Sequence, residues 1–262
     1  VLAHVEGTLA GDGFGTALAG NADVNGDGLM DVVVGAPKAD DPADKKRKDV
    51  GTVTVIYGCR GVNCATTSSP RYGSTPKTGF GSAVALGDVD NDNHADVVIG
   101  EPKATNDQGE KPLKQAGKVT VLSGASLNTT LLTVYGQTAG ALAGTAVAAG
   151  DVNGQAGAEV AVGAPKDDDT DNKITDAGSV KIYRFTDQEN PRVFYGEHAK
   201  DYFGKALSAN ADVNKDGVND VLVGVPGLDH PSNKKLKDVG QLHFVPLRPY
   251  KGTTRLILGT DD

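Results

Sequence analysis

The chain has no tryptophan, a single methionine, two cysteines and only 13 Phe and Tyr residues among 262. A core poor in large rings has to be closed by small and β-branched side chains, and the 35 glycines point to many tight turns. No stretch approaches the ~18 consecutive apolar residues of a membrane-spanning helix, which excludes direct insertion by such a helix. Neither G-x-S-x-G nor H-E-x-x-H occurs, and the five histidines, His4, His94, His198, His230 and His243, are scattered along the chain. The chain starts at Val1 without an initiator methionine and shows no leader, so it reads as processed or excised. At 262 residues it is long enough for one large β domain, 1–262.

What is abundant is Asp and Asn at fixed spacing. Asp23-Val24-Asn25-Gly26-Asp27-Gly28-Leu29-Met30-Asp31 places side-chain oxygens at positions 1, 3, 5 and 9 and a turn glycine at position 6. A hard cation such as Ca2+ takes ~6 to 8 oxygen ligands, and this pattern supplies them, with the position-7 backbone carbonyl completing the set. An EF-hand would place Glu at position 12 and continue into a helix. Here position 12 is Val34, inside the run Val32-Val33-Val34 before Gly35-Ala36-Pro37, which reads as a buried strand. The metal loop therefore joins two strands.

The unit occurs four times. The second copy carries Asp88, Asp90, Asp92 and Asp96 before Gly100-Glu101-Pro102, and the fourth carries Asp212, Asn214, Asp216 and Asp220 before Gly224-Val225-Pro226. The third offers Asp151, Asn153, Gln155 and Glu159 before Gly163-Ala164-Pro165, with one carboxylate replaced and the turn glycine shifted by one, so weaker binding is expected there. Three strong calcium sites and one weak one are the expectation. An acidic Asx-rich turn with no metal would account for one such loop but not for four in one frame.

The loops hold twelve carboxylates, which explains the formal charge of -8: outside them 26 basic residues face 22 acidic ones. Neither a nucleic-acid footprint nor a polyanionic surface follows.

The first Asp of each loop and the glycine closing the next strand are always 12 apart, while successive copies lie 65, 63 and 61 apart. A rigid core with variable connections at this period marks a repeat architecture. Before each loop comes a short strand of small residues, entered through Phe14-Gly15, Phe80-Gly81, Ala143-Gly144 and Phe203-Gly204. After each Gly-x-Pro a polar connection leads to a third strand with period-2 alternation, beginning at Gly51, Gly117, Gly178 and Gly240. A fourth follows at 71–73, 133–136, 193–196 and 255–259. Four antiparallel strands per unit make a propeller blade, giving blades of about 8–73, 74–136, 137–196 and 197–259. Residues 1–7 read as an extra outer strand, so the four blades are expected to belong to a longer array rather than to a self-contained ring.

Phe-Gly, the Asp-rich loop and Gly-x-Pro, recurring in that order, resemble the FG-GAP repeat of integrin α-subunit β-propellers. The resemblance implies an all-β propeller of four FG-GAP blades with calcium held in the loops between first and second strands, on the same residues. It also implies an extracellular or cell-surface recognition or adhesion module for a protein or glycan partner. Propellers also serve as scaffolds of secreted lyases or hydrolases and as purely architectural domains, and these remain the alternatives.

Two further features belong to this reading. Cys59 and Cys64 are spaced for a small disulfide or for two free thiols, and the calcium loops favour the disulfide. In an up-and-down blade the long polar connections lie on the face opposite the metal loops, where a partner would bind. Lys45, Lys46, Arg47 and Lys48, with their counterparts Lys234, Lys235 and Lys237, are the candidates there.

Overall fold

A computed structural model describes residues 4–7, 9–61, 64, 66–230, 232–233, 235–245, 247 and 257–258. The described residues contain strands and turns and no helix. They form four small antiparallel sheets, one per repeat. The first holds β1 (Ala17–Ala22), β2 (Asp31–Ala36), β3 (Thr52–Tyr57), β4 (Thr66–Thr67) and β5 (Arg71–Tyr72). The second holds β6 (Ala83–Gly87), β7 (Asp96–Glu101), β8 (Lys118–Leu122) and β9 (Thr130–Tyr135). The third holds β10 (Ala146–Gly150), β11 (Glu159–Ala164), β12 (Ser179–Arg184) and β13 (Asp187–Tyr195). The fourth holds β14 (Ala206–Ala211), β15 (Asp220–Val225), β16 (Gln241–Val245) and β17 (Ile257–Leu258).

The β-branched second strands are buried on both faces, which is why they read as continuous apolar runs: Val97, Val98 and Ile99 are all fully buried. The third strands alternate less cleanly than expected: β8 does so over Lys118 to Val121, whereas Thr52, Val53, Thr54 and Val55 of β3 are all buried because blades pack on both faces. Register repeats from blade to blade, with Ala17 opposite Gly35, Ala83 opposite Gly100, Ala146 opposite Gly163 and Ala206 opposite Gly224.

Successive blades stack through three cores. Val33, Val53 and Val55 meet Val84, Val97 and Ile99 between blades one and two. Val98, Val119 and Val121 meet Val147, Val160 and Val162 between blades two and three, and Ala161, Val180 and Ile182 meet Val221, Val223 and Val245 between blades three and four. The innermost strands adjoin in series, β1 to β6, β6 to β10 and β10 to β14. Among the described residues β14 and β1 have no comparable contact.

The Gly-x-Pro glycine has a packing reason. A Cβ on Gly35 would lie 2.1 Å from the Gly81 carbonyl oxygen, one on Gly100 2.1 Å from Gly144 O, and one on Gly163 2.1 Å from Gly204 O. Blades one to three thus each lodge the entry turn of the next blade, Phe80-Gly81, Ala143-Gly144 or Phe203-Gly204, against their own second strand, and only glycine leaves room.

The extra outer strand expected at residues 1–7 falls partly outside the described residues. Residues 1–3 lie outside the described set, and His4 to Gly7 are in no strand. The outer edge of β3 is taken by two short partners, Ile56 and Tyr57 on Thr67 and Thr66, and Thr52 and Val53 on Tyr72 and Arg71. Val5 and Gly7 instead line a 440 Å³ cavity with Phe14, Thr52, Thr54 and Tyr72.

Candidate metal centre

Each Asp-rich segment is the turn between the first and second strand of its blade. In the first loop Asp23 accepts the amides of Asp27 at 3.2 Å and Gly28 at 2.7 Å. Asp88 accepts those of Asp92 and Asn93, and Asp212 those of Asp216 and Gly217, at 2.9 to 3.1 Å. The position-1 carboxylate therefore wraps the loop around itself. Position 6 must turn left-handed to allow this, with φ of 81° at Gly28, 69° at Asn93 and 88° at Gly217. Asn tolerates that region nearly as Gly does, so Asn93 keeps the frame. The position-5 carboxylates Asp27, Asp92 and Asp216 accept the amides of Leu29, His94 and Val218.

Position 9 is the buried floor. Asp31, Asp96 and Asp220 accept the amides of Val24, Val89 and Val213, and Asp31 and Asp96 also accept those of Gly58 and Gly124 at the end of the third strand. Carboxylate oxygens of Asp88, Asp90 and Asp96 lie within 4.8 Å of one another. Burial pushes the Asp96 carboxyl up to about 6, and the charge of Asp90 adds to the rise. Burial and then the Asp92 charge raise Asp90 as well. Three converging, partly desolvated carboxylates with no cationic side chain among them are a site that a cation would relieve. The donor set is all oxygen, which suits a hard cation. The first and fourth loops have the same frame with Asn25 and Asn214 at position 3.

The third loop departs from it. Its left-handed residue is Gly157, at position 7, and Asp151 accepts Asn153 and Gly154 instead of positions 5 and 6. Gln155, expected to be a weak ligand, accepts a hydrogen bond from the Arg184 guanidinium through its side-chain oxygen. Arg184 Nε also lies 3.9 Å from Glu159 Oε1, and Asn153 donates to the same carboxylate. The carboxyl of Glu159 is raised by burial, which outweighs Arg184. A side-chain cation thus stands over this loop. Register shows where it comes from: Arg184 follows Tyr183, the partner of Val160, at the place held by Tyr57 and Ser123 in the first two blades.

The loops are joined to one another. The amide of Ala95, at position 8 of loop two, donates to Asp23 O at 2.7 Å; Ala158 N donates to Asp88 O at 2.7 Å, and Asn219 N to Asp151 O at 3.1 Å. His94 lies against Gly26 of the preceding loop, where an added Cβ would meet His94 Nε2 at 2.7 Å. The cause is the same stacking, which brings the tip of loop two over loop one.

Cys59 and Cys64 form a disulfide, with Cα atoms 5.9 Å apart. It lies beside the first metal loop, since Gly58 N is bonded to Asp31.

Only part of the basic cluster is free. Arg47 is bound to Asp41 and to Gly73 O, each at 2.5 Å, and Lys48 to Asp40 at 2.5 Å. Lys237 pairs with Asp229 at 2.6 Å. These three hold their own hairpins in shape. Lys45, Lys46 and Lys235 are exposed, and Lys234 lies outside the described residues.

The FG-GAP repeat family model matches residues 14–56 and 80–122, the first and second Phe-Gly, loop and Gly-x-Pro units together with their third strands. Two of the chain's four blades thus match the FG-GAP repeat, and the chain as a whole is similar to integrin α-subunits. It is 29% identical to integrin alpha-5 of Xenopus laevis over 152 residues, 56% of this chain and 14% of that protein. It is 28% identical to integrin alpha-PS2 of Drosophila melanogaster over 189 residues, 68% of this chain and 12% of that protein. With integrin alpha pat-2 of Caenorhabditis briggsae the identity is 32% over 163 residues, 56% of this chain and 12% of that protein. The FG-GAP chain thus spans a small part of each relative. Sequence reasoning missed Gly58, Gly124 and Arg184, and their signal lies in the register of the third strand rather than in any motif.

Proposed function

We propose that this FG-GAP propeller is a calcium-stabilised recognition module working outside the cell or at its surface. Calcium sits in loops one, two and four through the position-1, 3, 5 and 9 side chains and is structural. The third loop, with Arg184 over it, binds calcium weakly at most. A protein or glycan partner binds the connections on the opposite face.

The observation that carries the reading is the cluster of Asp88, Asp90 and Asp96. A closed loop of converging carboxylates, of which burial raises Asp90 and Asp96, is stable at neutral pH once a cation neutralises it. The disulfide fits an oxidising compartment, and the likeness to integrin α-subunits fits an adhesion-type role. The partner face is supported by two hairpins of the same build, in which Asp40–Lys48 and Asp229–Lys237 pairs brace tips that expose Lys45, Lys46 and Lys235.

The test is thermal unfolding with calcium and with chelator. A higher Tm in calcium supports the reading, and equal Tm values overturn it. For the partner face, binding is measured to immobilised acidic glycans and matrix proteins. The double reversal Lys46→Glu and Lys235→Glu should weaken it in a salt-dependent way, and unchanged binding removes that face from consideration.

A further inference from the structure

Blades two and three share an 880 Å³ cleft lined by their outer strands, β9 and β13, and by the hairpin in which Asn106 pairs with Leu113. That volume lies among those of sites that hold small ligands, roughly 300 to 1,000 Å³. The third strand of blade three, which lines it with Lys181 and Tyr183, departs from the repeat. By register the counterparts of Tyr183 are Ile56, Leu122 and Val245, and those of Lys181 are Thr54, Thr120 and His243. Asp167, four residues after the Gly-x-Pro glycine, stands where the other blades have Ala39, Ala104 and Leu228. It is 1% exposed and accepts the Ser179 hydroxyl at 2.7 Å and the Thr138 hydroxyl, with Lys181 Nζ at 3.3 Å. Tyr183 is 6% exposed, and its hydroxyl makes no hydrogen bond among the described residues yet is not sealed from solvent. Burial and then the charge of Asp167 push its pKa up to about 12, so it meets the cleft as a neutral hydroxyl.

The remaining lining sets the chemistry of an occupant. Gln108, Gln137 and Gln188 each anchor their amide nitrogen close by, on Asp107 Oδ1, Tyr135 O and Phe185 O at 2.9 to 3.1 Å. Their side-chain oxygens accept nothing among the described residues, so the cleft is rich in fixed acceptors and suits a ligand that donates. Tyr135 and Tyr195, at the same place in successive blades, add ring surface, and Tyr195 is 36% exposed with a blade packed on either side. Charge cancels: Lys181 is held by Asp167, and one cation, Lys111, and one anion, Glu189, are left. Pro191 stands in the edge strand that a peptide would have to extend, and it has no N–H to lend. Hydroxyls that donate to fixed acceptors, C–H faces that lie on phenol rings and the absence of net charge are the properties of a sugar. We propose that this cleft binds a neutral oligosaccharide, with the Tyr183 hydroxyl and the glutamine oxygens on its hydroxyl groups and Tyr135 and Tyr195 against its ring faces. The cleft shares no residue with the metal loops or with the lysine-bearing hairpins, so it stands apart from the reading given above for those.

The experiment presents the whole chain, in calcium, to an array of short neutral oligosaccharides beside sulfated glycans, sialylated glycans and proline-rich peptides. Titration calorimetry at low and high salt follows with the neutral glycan retained best. Neutral glycans should be retained, with an affinity that salt leaves unchanged because no ion pair is made. Tyr183→Phe removes one unbonded oxygen from a ring that stays packed, so it should weaken binding about tenfold at unchanged Tm. Tyr195→Ala should weaken it at least as much, and Lys46→Glu with Lys235→Glu should leave it unchanged. Retention of no neutral glycan overturns the proposal. Retention of the acidic glycans alone, or of the peptides alone, overturns it in favour of that other class. Unchanged affinity in Tyr183→Phe or in Tyr195→Ala, or a loss in the lysine double variant, overturns the cleft as the place of binding.

Discussion

Glu101 and Lys118 form an ion pair across neighbouring strands of blade two, with Glu101 1% exposed. The Thr78 hydroxyl donates to the same carboxylate at 2.5 Å. The pair stands where blade three has Ala164 opposite Ser179. Removing one partner of a buried pair costs ~3 to 5 kcal/mol, because the remaining charge has no counter-ion. Lys118→Ser alone should therefore lower Tm markedly, whereas Glu101→Ala with Lys118→Ser recreates the arrangement of blade three and should recover most of the loss. Thermal unfolding of the two variants checks this, and equal losses in both would contradict it.

Calcium should stabilise through loops one, two and four. A ligand that binds only the folded state at a hundredfold excess over its Kd contributes ~2.7 kcal/mol per site. Asp92→Ala should reduce the calcium-induced rise in Tm, and Gln155→Ala should leave it nearly unchanged. Titration calorimetry should return three sites per chain, and a fourth of equal affinity would refute the role given to Arg184.

Glycine at one repeat position should have opposite importance along the chain. Gly100→Ala forces a methyl onto Gly144 O and should destabilise by ~1 to 3 kcal/mol or more, as overpacking does. Gly224→Ala, at the equivalent place in the last blade, should leave Tm of the isolated chain within about 1 kcal/mol of wild type in stability. Parallel denaturant titrations measure both.

His243 sets an acid limit. It packs edge-on against Phe203 with ring centroids 5.5 Å apart, and burial lowers its pKa below the ordinary 6.5, outweighing the charges of Glu197 and Asp201. The unfolded chain then binds a proton that the folded one resists, so stability is full above pH 6.5 and falls as pH drops from there towards the depressed folded value. His243→Gln should flatten this part of the pH profile relative to wild type. A profile unchanged by the substitution would exclude His243 as its source.

Much of this was legible in the sequence because repetition turns weak local signals into a frame. Phe14-Gly15, Asp23 to Asp31 and Gly35-Ala36-Pro37 determined strand, loop and blade. What was hidden depends on partners set by register across strands. Arg184 is 29 residues from Gln155 and reaches it only because Tyr183 pairs with Val160. Arg47, Lys48 and Lys237 looked like free charges until their hairpins folded back on Asp41, Asp40 and Asp229.

The hydrogen bonds from Ala95 to Asp23, Ala158 to Asp88 and Asn219 to Asp151 act as a hoop along one rim of the molecule. Blades cannot splay on that side without breaking one bond per junction, and the opposite rim is tied as well, by Lys77 N to Asp49 O, Ala143 N to Ala116 O and Phe203 N to Ala177 O. Ala95 is bonded next to Asp96, and Asp88 carries the following link, so a cation gripping Asp88 and Asp96 would tighten two links at once. Withdrawing the cation should therefore loosen the rim of the metal loops first, while the rim of long connections keeps its own ties.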